Sequence, residues 1–185
     1  MKATGIVRRI DDLGRVVIPK EIRRTMRIRE GDPLEIYTNR EGEVIFKKYS
    51  PIGEITVFAA QYAETLFRTA NLEVLICDRD AVIAVSGVSK KEYLEHSLSR
   101  EIENIMEARG LYRYKNGDDL IYPLDTQSSH FVSCAMPIIT EGDVIGCVIS
   151  LSMCGKPREE SDSAYETEAK LVSTAAIFLG KQMES

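Results

Sequence analysis

The chain has 185 residues, 44% of them hydrophobic and 29% charged, with a formal net charge of -5. Such a composition belongs to a globular protein with one medium domain, or a small domain followed by a larger one. It contains no run of the roughly 18 to 20 apolar residues a membrane helix needs and no signal-peptide core near its start, so a cytoplasmic protein with no membrane partner is expected.

The net charge conceals an asymmetry. Residues 1–53 carry 12 Lys and Arg, eight of them Arg, against 8 Asp and Glu, a balance of +4, whereas the remainder carries 12 against 21, a balance of -9. A basic head on an acidic body predicts two domains with different partners, 1–52 and 53–185.

In chain order, residues 4–10 and 15–18 are short β-branched runs on either side of Asp-Asp-Leu-Gly, which predicts two strands around a turn. Pro19 then suits the first position of a helix over 19–28, with Ile22 and Met26 on one face and Arg23, Arg24 and Arg27 on others. Residues 34–38 and 43–49 alternate as a second hairpin around 39–42. About a dozen large aliphatic side chains give a head this small too little core to be stable alone, which predicts dimerisation.

Ser50-Pro51 reads as a helix start, and Ile55, Phe58, Tyr62 and Leu66 form a stripe on a helix reaching Ala70. Strands follow at 73–78 and 81–86, then a polar helix over 90–109 and an irregular segment over 111–130 apart from 120–122. A hairpin over 132–139 and 144–153 turns at Glu141-Gly142. The last helix opens with a capping box, Ser163-x-x-Glu166, and carries Tyr165, Ala169, Val172, Ala176, Leu179 and Met183 at alternating spacings of four and three. Both helical stripes fit sheet cover and also a helix bundle between protomers. Hairpins flanked by helices predict an α+β fold built on an antiparallel sheet.

The basic cluster comprises Lys2, Arg8, Arg9, Arg15, Arg23, Arg24, Arg27 and Arg29. The planar guanidinium fork suits phosphates and guanine edges, while the plainer alternative is a solvated face with salt bridges to Asp11, Asp12, Glu21 and Glu30. The stretch TGIVRRIDDLGRVVIPKEIRRTMRIREGDPLEIY, continuing to VIFKKYSP, resembles the swapped-hairpin DNA-binding head of the bacterial AbrB-type transition-state regulators. Its core pattern, Asp-x-x-Gly-Arg-Val-Val-Ile-Pro-x-Glu-Ile-Arg-Arg, is long and specific. With the acidic body attached, the chain resembles regulators of late spore development in endospore-forming bacteria.

The resemblance implies a β-barrel-like homodimer whose strands interleave, and double-stranded DNA as partner. It implies DNA contacts by Arg8, Arg15, Arg23 and Arg24, with Arg9 and Lys2 adding positive charge. The function implied is a sequence-selective regulator that activates and represses late sporulation genes. The stretch AMPIITEGDVIGCVISLS, residues 135–152, resembles a GAF domain. That implies either an unidentified small-molecule effector beneath the segment 111–131, with Tyr112, Arg113, Tyr114 and Asp118, or a dimerisation module without ligand. Two dimerising parts on one chain need not pair the same protomers, which predicts a homotetramer built as a dimer of dimers.

Other classes find little support in the residues. Cys77, Cys134, Cys147 and Cys154 form no C-x2-C pair and are expected to be core hydrophobes. A hairpin turning at Glu141-Gly142 sets Cys134 opposite Ile149 and Cys147 opposite Met136. The two sulfurs would then share a face at a diagonal of about 7 to 8 Å, long for a disulfide. His96 and His130 have no evident partner set, no metal-ligand spacing or cofactor motif occurs, and no enzyme is expected. Antitoxins share the head fold and mask a toxin with an appended segment, but capped, striped helices argue against a peptide-like tail.

Overall fold

The computed structural model describes residues 6–48, 56–126, 128–155 and 162–184, and the chain divides into two compact units, Met1–Tyr49 and Ser50–Ser185.

In the first unit, helix α1 spans Lys20–Thr25 and the hairpin of β1 (Leu34–Thr38) and β2 (Val44–Lys48) pairs Leu34 with Lys48 and Thr38 with Val44. Pro19, with φ -56° and ψ 148°, sits one position before the helix and not inside it. The helix stops after six residues because Arg27 turns left-handed at φ 51°. The Ile28 and Arg27 N–H groups then close back onto the Arg23 and Arg24 carbonyls at 2.8 and 3.3 Å, a Schellman ending with arginine where glycine is usual.

Residues 6–10 and 15–18, expected as strands, carry no ladder among the described residues. A strand needs a hydrogen-bonded neighbour, and around this turn the main-chain to main-chain bonds among the described residues are those that close the turn itself, from the Asp11 N–H to the Arg15 carbonyl and from the Gly14 N–H to the Asp11 carbonyl. Their apolar side chains face outward, with Val7 89%, Ile10 70% and Val17 71% exposed. Pro19 is the single buried residue among the described residues of this unit.

The second unit is a five-stranded antiparallel sheet in the order β4-β3-β7-β6-β5, formed by β3 (Glu73–Asp78), β4 (Val82–Ser86), β5 (Tyr112–Arg113), β6 (His130–Thr140) and β7 (Asp143–Met153). Helices α2 (Thr56–Ala70) and α5 (Asp162–Gln182) cover one face, where Ala59, Ala63, Leu66, Val172, Ala176 and Leu179 pack on Val74, Ile76, Ile138 and Val148. On the other face, α3 (Lys90–Tyr93) and α4 (Arg100–Ala108) lay Tyr93, Ile102, Ile105 and Met106 over Leu75, Cys77, Cys147 and Ile149. Burial on both faces explains why β3 and β7 read as continuous apolar runs and not as alternating ones.

Several expectations change here. The single helix over 90–109 is two, because residues 94–98 run along the edge strand. The Glu95 N–H bonds the Val82 carbonyl at 2.8 Å, and the Val82 N–H bonds the His96 carbonyl at 3.1 Å. Ser99 then caps α4, its Oγ accepting from the Ile102 N–H at 3.4 Å. Within 111–130, the extended piece is Tyr112–Arg113 and not 120–122, because the former makes a two-residue ladder with β6 while the latter gives β6 a single bond, from the Val132 N–H to the Ile121 carbonyl at 2.8 Å.

Helix α5 already contains Ser163, so the expected capping box is not its start. Ser161, Asp162 and Ser163 are all cap-forming residue types, and the sequence pattern alone does not choose among them. Near the other end of α5, a Cβ at Gly180 would collide with the Ile139 carbonyl oxygen, so the helix approaches β6 only because glycine stands there. Ser50, Pro51 and Ile55 lie outside the described residues.

Candidate nucleic-acid interface

The turn at 11–15 is built by one side chain. Asp11 Oδ1 accepts from the Leu13 N–H at 3.0 Å and the Arg15 N–H at 2.7 Å, while Oδ2 accepts from Arg15 Nε at 2.8 Å. Gly14, at φ 76°, supplies the left-handed position that lets the chain reverse so tightly. The Arg15 backbone N–H, and after it the Arg15 guanidinium, hold the Asp11 carboxyl below its ordinary value. Arg15 itself is 70% exposed, and its two terminal nitrogens make no hydrogen bond among the described residues.

Arg23 and Arg24 project from the last turn of α1, exposed, and Arg8 and Arg9 are exposed on the segment leading into the turn. The side chains of all four make no hydrogen bond or ion pair among the described residues. The salt-bridged alternative therefore holds for Arg15, through Asp11, and not for these four. Lys2 lies outside the described residues. Sequence reasoning offers Asp11 among the possible partners of the cluster without assigning it to Arg15, although a carboxylate four residues before an arginine across Leu-Gly is a visible cue.

In the body, the segment 111–131 packs down through Tyr114, whose ring stands edge-on to Phe131 at 4.8 Å, and Asp118 accepts from the Lys115 N–H at 3.1 Å. The sheet face beneath is filled by buried side chains of the protein's own, among them Tyr93, Ile102 and Leu124. His130 is not solitary. Its Nδ1 lies 3.2 Å from the Tyr93 hydroxyl and 3.0 Å from Ser129 Oγ, and its Nε2 lies 3.4 Å from the Glu73 carboxylate, tying α3 to the ends of β6 and β3. Burial pushes the Tyr93 phenol up to about 12.

On the opposite face, the carboxylate of Glu168, buried on α5, accepts from Ser150 Oγ at 2.5 Å and Ser133 Oγ at 3.3 Å. Sequence reasoning missed this too, though Glu168 falls three after Tyr165 and four before Val172, on the buried face of the stripe.

The cysteines are rearranged. Thr140 faces Asp143 and Ile139 faces Val144, as a turn at Glu141-Gly142 requires. A bulge then shifts the register by one, so Cys134 faces Ser150 and Cys147 faces Pro137. One step of register reverses the face, and Cys134 packs under α2 and α5 while Cys147 packs under α3 and α4. The partner of Cys147 is Cys77, directly opposite on β3; both are reduced and buried, and burial pushes the Cys147 thiol well up.

Comparison with known families decides the identity. The family described as "Stage V sporulation protein T C-terminal, transcription factor" matches residues 54–184, and stage V sporulation protein T of Bacillus subtilis (strain 168) is 52% identical over all of this chain and 99% of that protein. The chain belongs to the stage V sporulation protein T family. It is accordingly a transcription factor.

The head of this family member is also 63% identical over 51 residues to the transition state regulatory protein AbrB of Bacillus subtilis (strain 168), covering 28% of this chain and 52% of AbrB. The family described as "Antidote-toxin recognition MazE, bacterial antitoxin" matches residues 7–54. The body superposes on a GAF domain/HD domain protein from Geobacter sulfurreducens with a TM-score of 0.51 at 19% identity, over 74% of this chain and 99% of that one, which establishes the GAF fold. No described helix is long and apolar enough to cross a membrane.

Proposed function

We propose that residues 1–52 form an intertwined homodimeric DNA-binding domain that selects promoter sequences in double-stranded DNA. Residues 53–185 join such dimers into a homotetramer, and the protein acts in the cytoplasm to activate and repress late sporulation genes. One observation carries the reading: Arg8, Arg9, Arg23 and Arg24 are exposed with no ion pair among the described residues, and they stand among exposed aliphatics that a second chain can cover. Six residues make α1 too short for an ordinary recognition helix, so the arginines of the turn and of the segment leading into it share the contact and phosphates supply most of the affinity.

The tetramer rests on the outer surface of α2 and α5. There Phe58 and Ile177 are 51% and 54% exposed, and Tyr62 packs on Phe178 at 5.3 Å between ring centroids. Sheet cover uses Ala59, Ala63 and Leu66 instead, so the two stripes leave a second apolar face to meet another copy.

Arg15→Ala and Arg23→Ala in the full-length protein test the reading by gel shift on promoter DNA. Each is expected to weaken binding at least tenfold without lowering the unfolding temperature. Wild-type affinity is expected to fall with salt at a slope of about -0.9 per neutralised phosphate. Unchanged affinity in both variants at low salt would remove the arginine face from the mechanism.

A further inference from the structure

The turns at 11–15 and 39–43 share one architecture. In the second, Asn39 Oδ1 accepts from the Glu41 and Glu43 N–H groups at 3.1 and 2.9 Å, as Asp11 Oδ1 does from Leu13 and Arg15. The main chain closes identically, with Asp11 N–H to the Arg15 carbonyl matching Asn39 N–H to the Glu43 carbonyl. A left-handed glycine follows at the same place, Gly14 in one turn and Gly42 in the other. The second side-chain atom differs: Asn39 Nδ2 donates to the Glu43 carboxylate at 2.6 Å, whereas Asp11 Oδ2 accepts from Arg15 Nε at 2.8 Å.

An amide oxygen therefore suffices to build this turn, and the loop does not require a carboxylate at position 11. Near DNA that carboxylate is a cost, since it repels phosphate. Asp12, beside it, carries the same charge and makes no hydrogen bond among the described residues. Among the described residues, the second oxygen of Asp11 bonds the Arg15 guanidinium and nothing else.

We propose that Asp11 is a positioning residue for DNA recognition, clamping Nε of Arg15 so that Nη1 and Nη2 are presented together as a two-pronged donor to paired acceptors on the duplex. Those acceptors are O6 and N7 of a guanine or the oxygens of a phosphate. Fixing the long side chain before the encounter reduces the conformational freedom lost on binding, and the clamp leaves the end of the fork open. The proposal rests on the reading of Arg15 as a DNA contact.

Asp11→Asn keeps Oδ1 for the two backbone bonds and replaces the Nε acceptor with a donor. The full-length protein is titrated by fluorescence anisotropy into a labelled duplex enriched from a random library by the wild-type chain, and into a scrambled duplex of the same composition. Asp11→Asn is expected to bind roughly fivefold to twentyfold more weakly at an unchanged unfolding temperature, although it removes a negative charge. Asp12→Asn, the same change in charge, binds as tightly as wild type or tighter. A loss confined to the selected duplex assigns the fork to a base edge; an equal loss on both assigns it to phosphate.

In an Arg15→Ala background, Asp11→Asn is expected to cause no further weakening. Binding by Asp11→Asn as tight as wild type, or a loss of the same size in the Arg15→Ala background, overturns the proposal while leaving Arg15 as a contact. Wild-type affinity in Arg15→Ala alone instead removes the reading on which the proposal stands. Should Asp11→Asn unfold the head, Arg15→Lys carries the test with the turn untouched. It retains the charge without the fork, so a comparable loss supports the clamp and undiminished affinity overturns it.

Discussion

Both units of this chain carry short runs of branched aliphatics, yet they dispose of those side chains in opposite ways. The body buries them on two sides of one sheet, with Val74, Leu75, Ile76, Val148 and Ile149 at or near zero exposure. In the head, Val7, Ile10, Leu13 and Val17 stand largely in solvent and Pro19 alone is buried among the described residues. A unit of this size cannot close a core on itself, and a second interleaved chain is the arrangement that would cover these residues. On the proposed reading, the difference teaches that one sequence can carry a self-sufficient core together with half of a shared one.

The strongest way to break that comparison is Val17→Asp. If the exposed aliphatics of the head meet a partner, an unpaired carboxylate there is expected to abolish both head dimerisation and DNA binding, read by light scattering and gel shift on the full-length protein. Retained binding would mean that Val17 faces solvent in the assembled protein as well. Ile149→Ala sharpens the other half. It leaves a cavity in a core closed within one chain, so stability is expected to drop by about 2 to 5 kcal/mol in denaturant unfolding, while the folded fraction binds DNA as before.

The smallest effect concerns pH. Tyr93 ionises in the folded body at about 12 against an ordinary 10, so the fold favours its neutral form. That contribution is complete below about pH 10 and is lost as pH rises through about 12. Tyr93→Phe is expected to flatten the alkaline limb of a stability profile between those values, at some cost at neutral pH from the missing contact with His130. An alkaline limb as steep as that of wild type would assign the loss to other groups.

The legible parts of this protein were those written in local pattern or charge. The strand over 73–78 and the long hairpin turning at Glu141-Gly142 follow from apolar runs and turn residues, and the helices over 56–70 and 162–182 from their stripes. On α2 the expected stripe holds at Leu66 and in part at Tyr62, but Ala59 and Ala63 cover the sheet where Phe58 is expected, and Phe58 is half exposed. Small residues let a helix approach closely, and a hydrophobicity pattern weights the larger neighbour. At the candidate site the arginines were visible as composition and as motif, whereas the bond from Asp11 to Arg15 Nε depends on how the turn closes.

By itself the sequence determined that a basic head precedes an acidic body, where most elements lie, and where the arginines cluster. These are properties of neighbouring residues, fixed by charge, side-chain period and turn chemistry. Only the tertiary structure decided that Cys147 lies opposite Cys77 and not on the face of Cys134, that Glu168 is buried between two serines, and that residues 94–98 leave the helix to cover a strand edge. Each depends on contacts between distant segments, and in a sheet a single bulge reverses every side chain beyond it, which no local periodicity records.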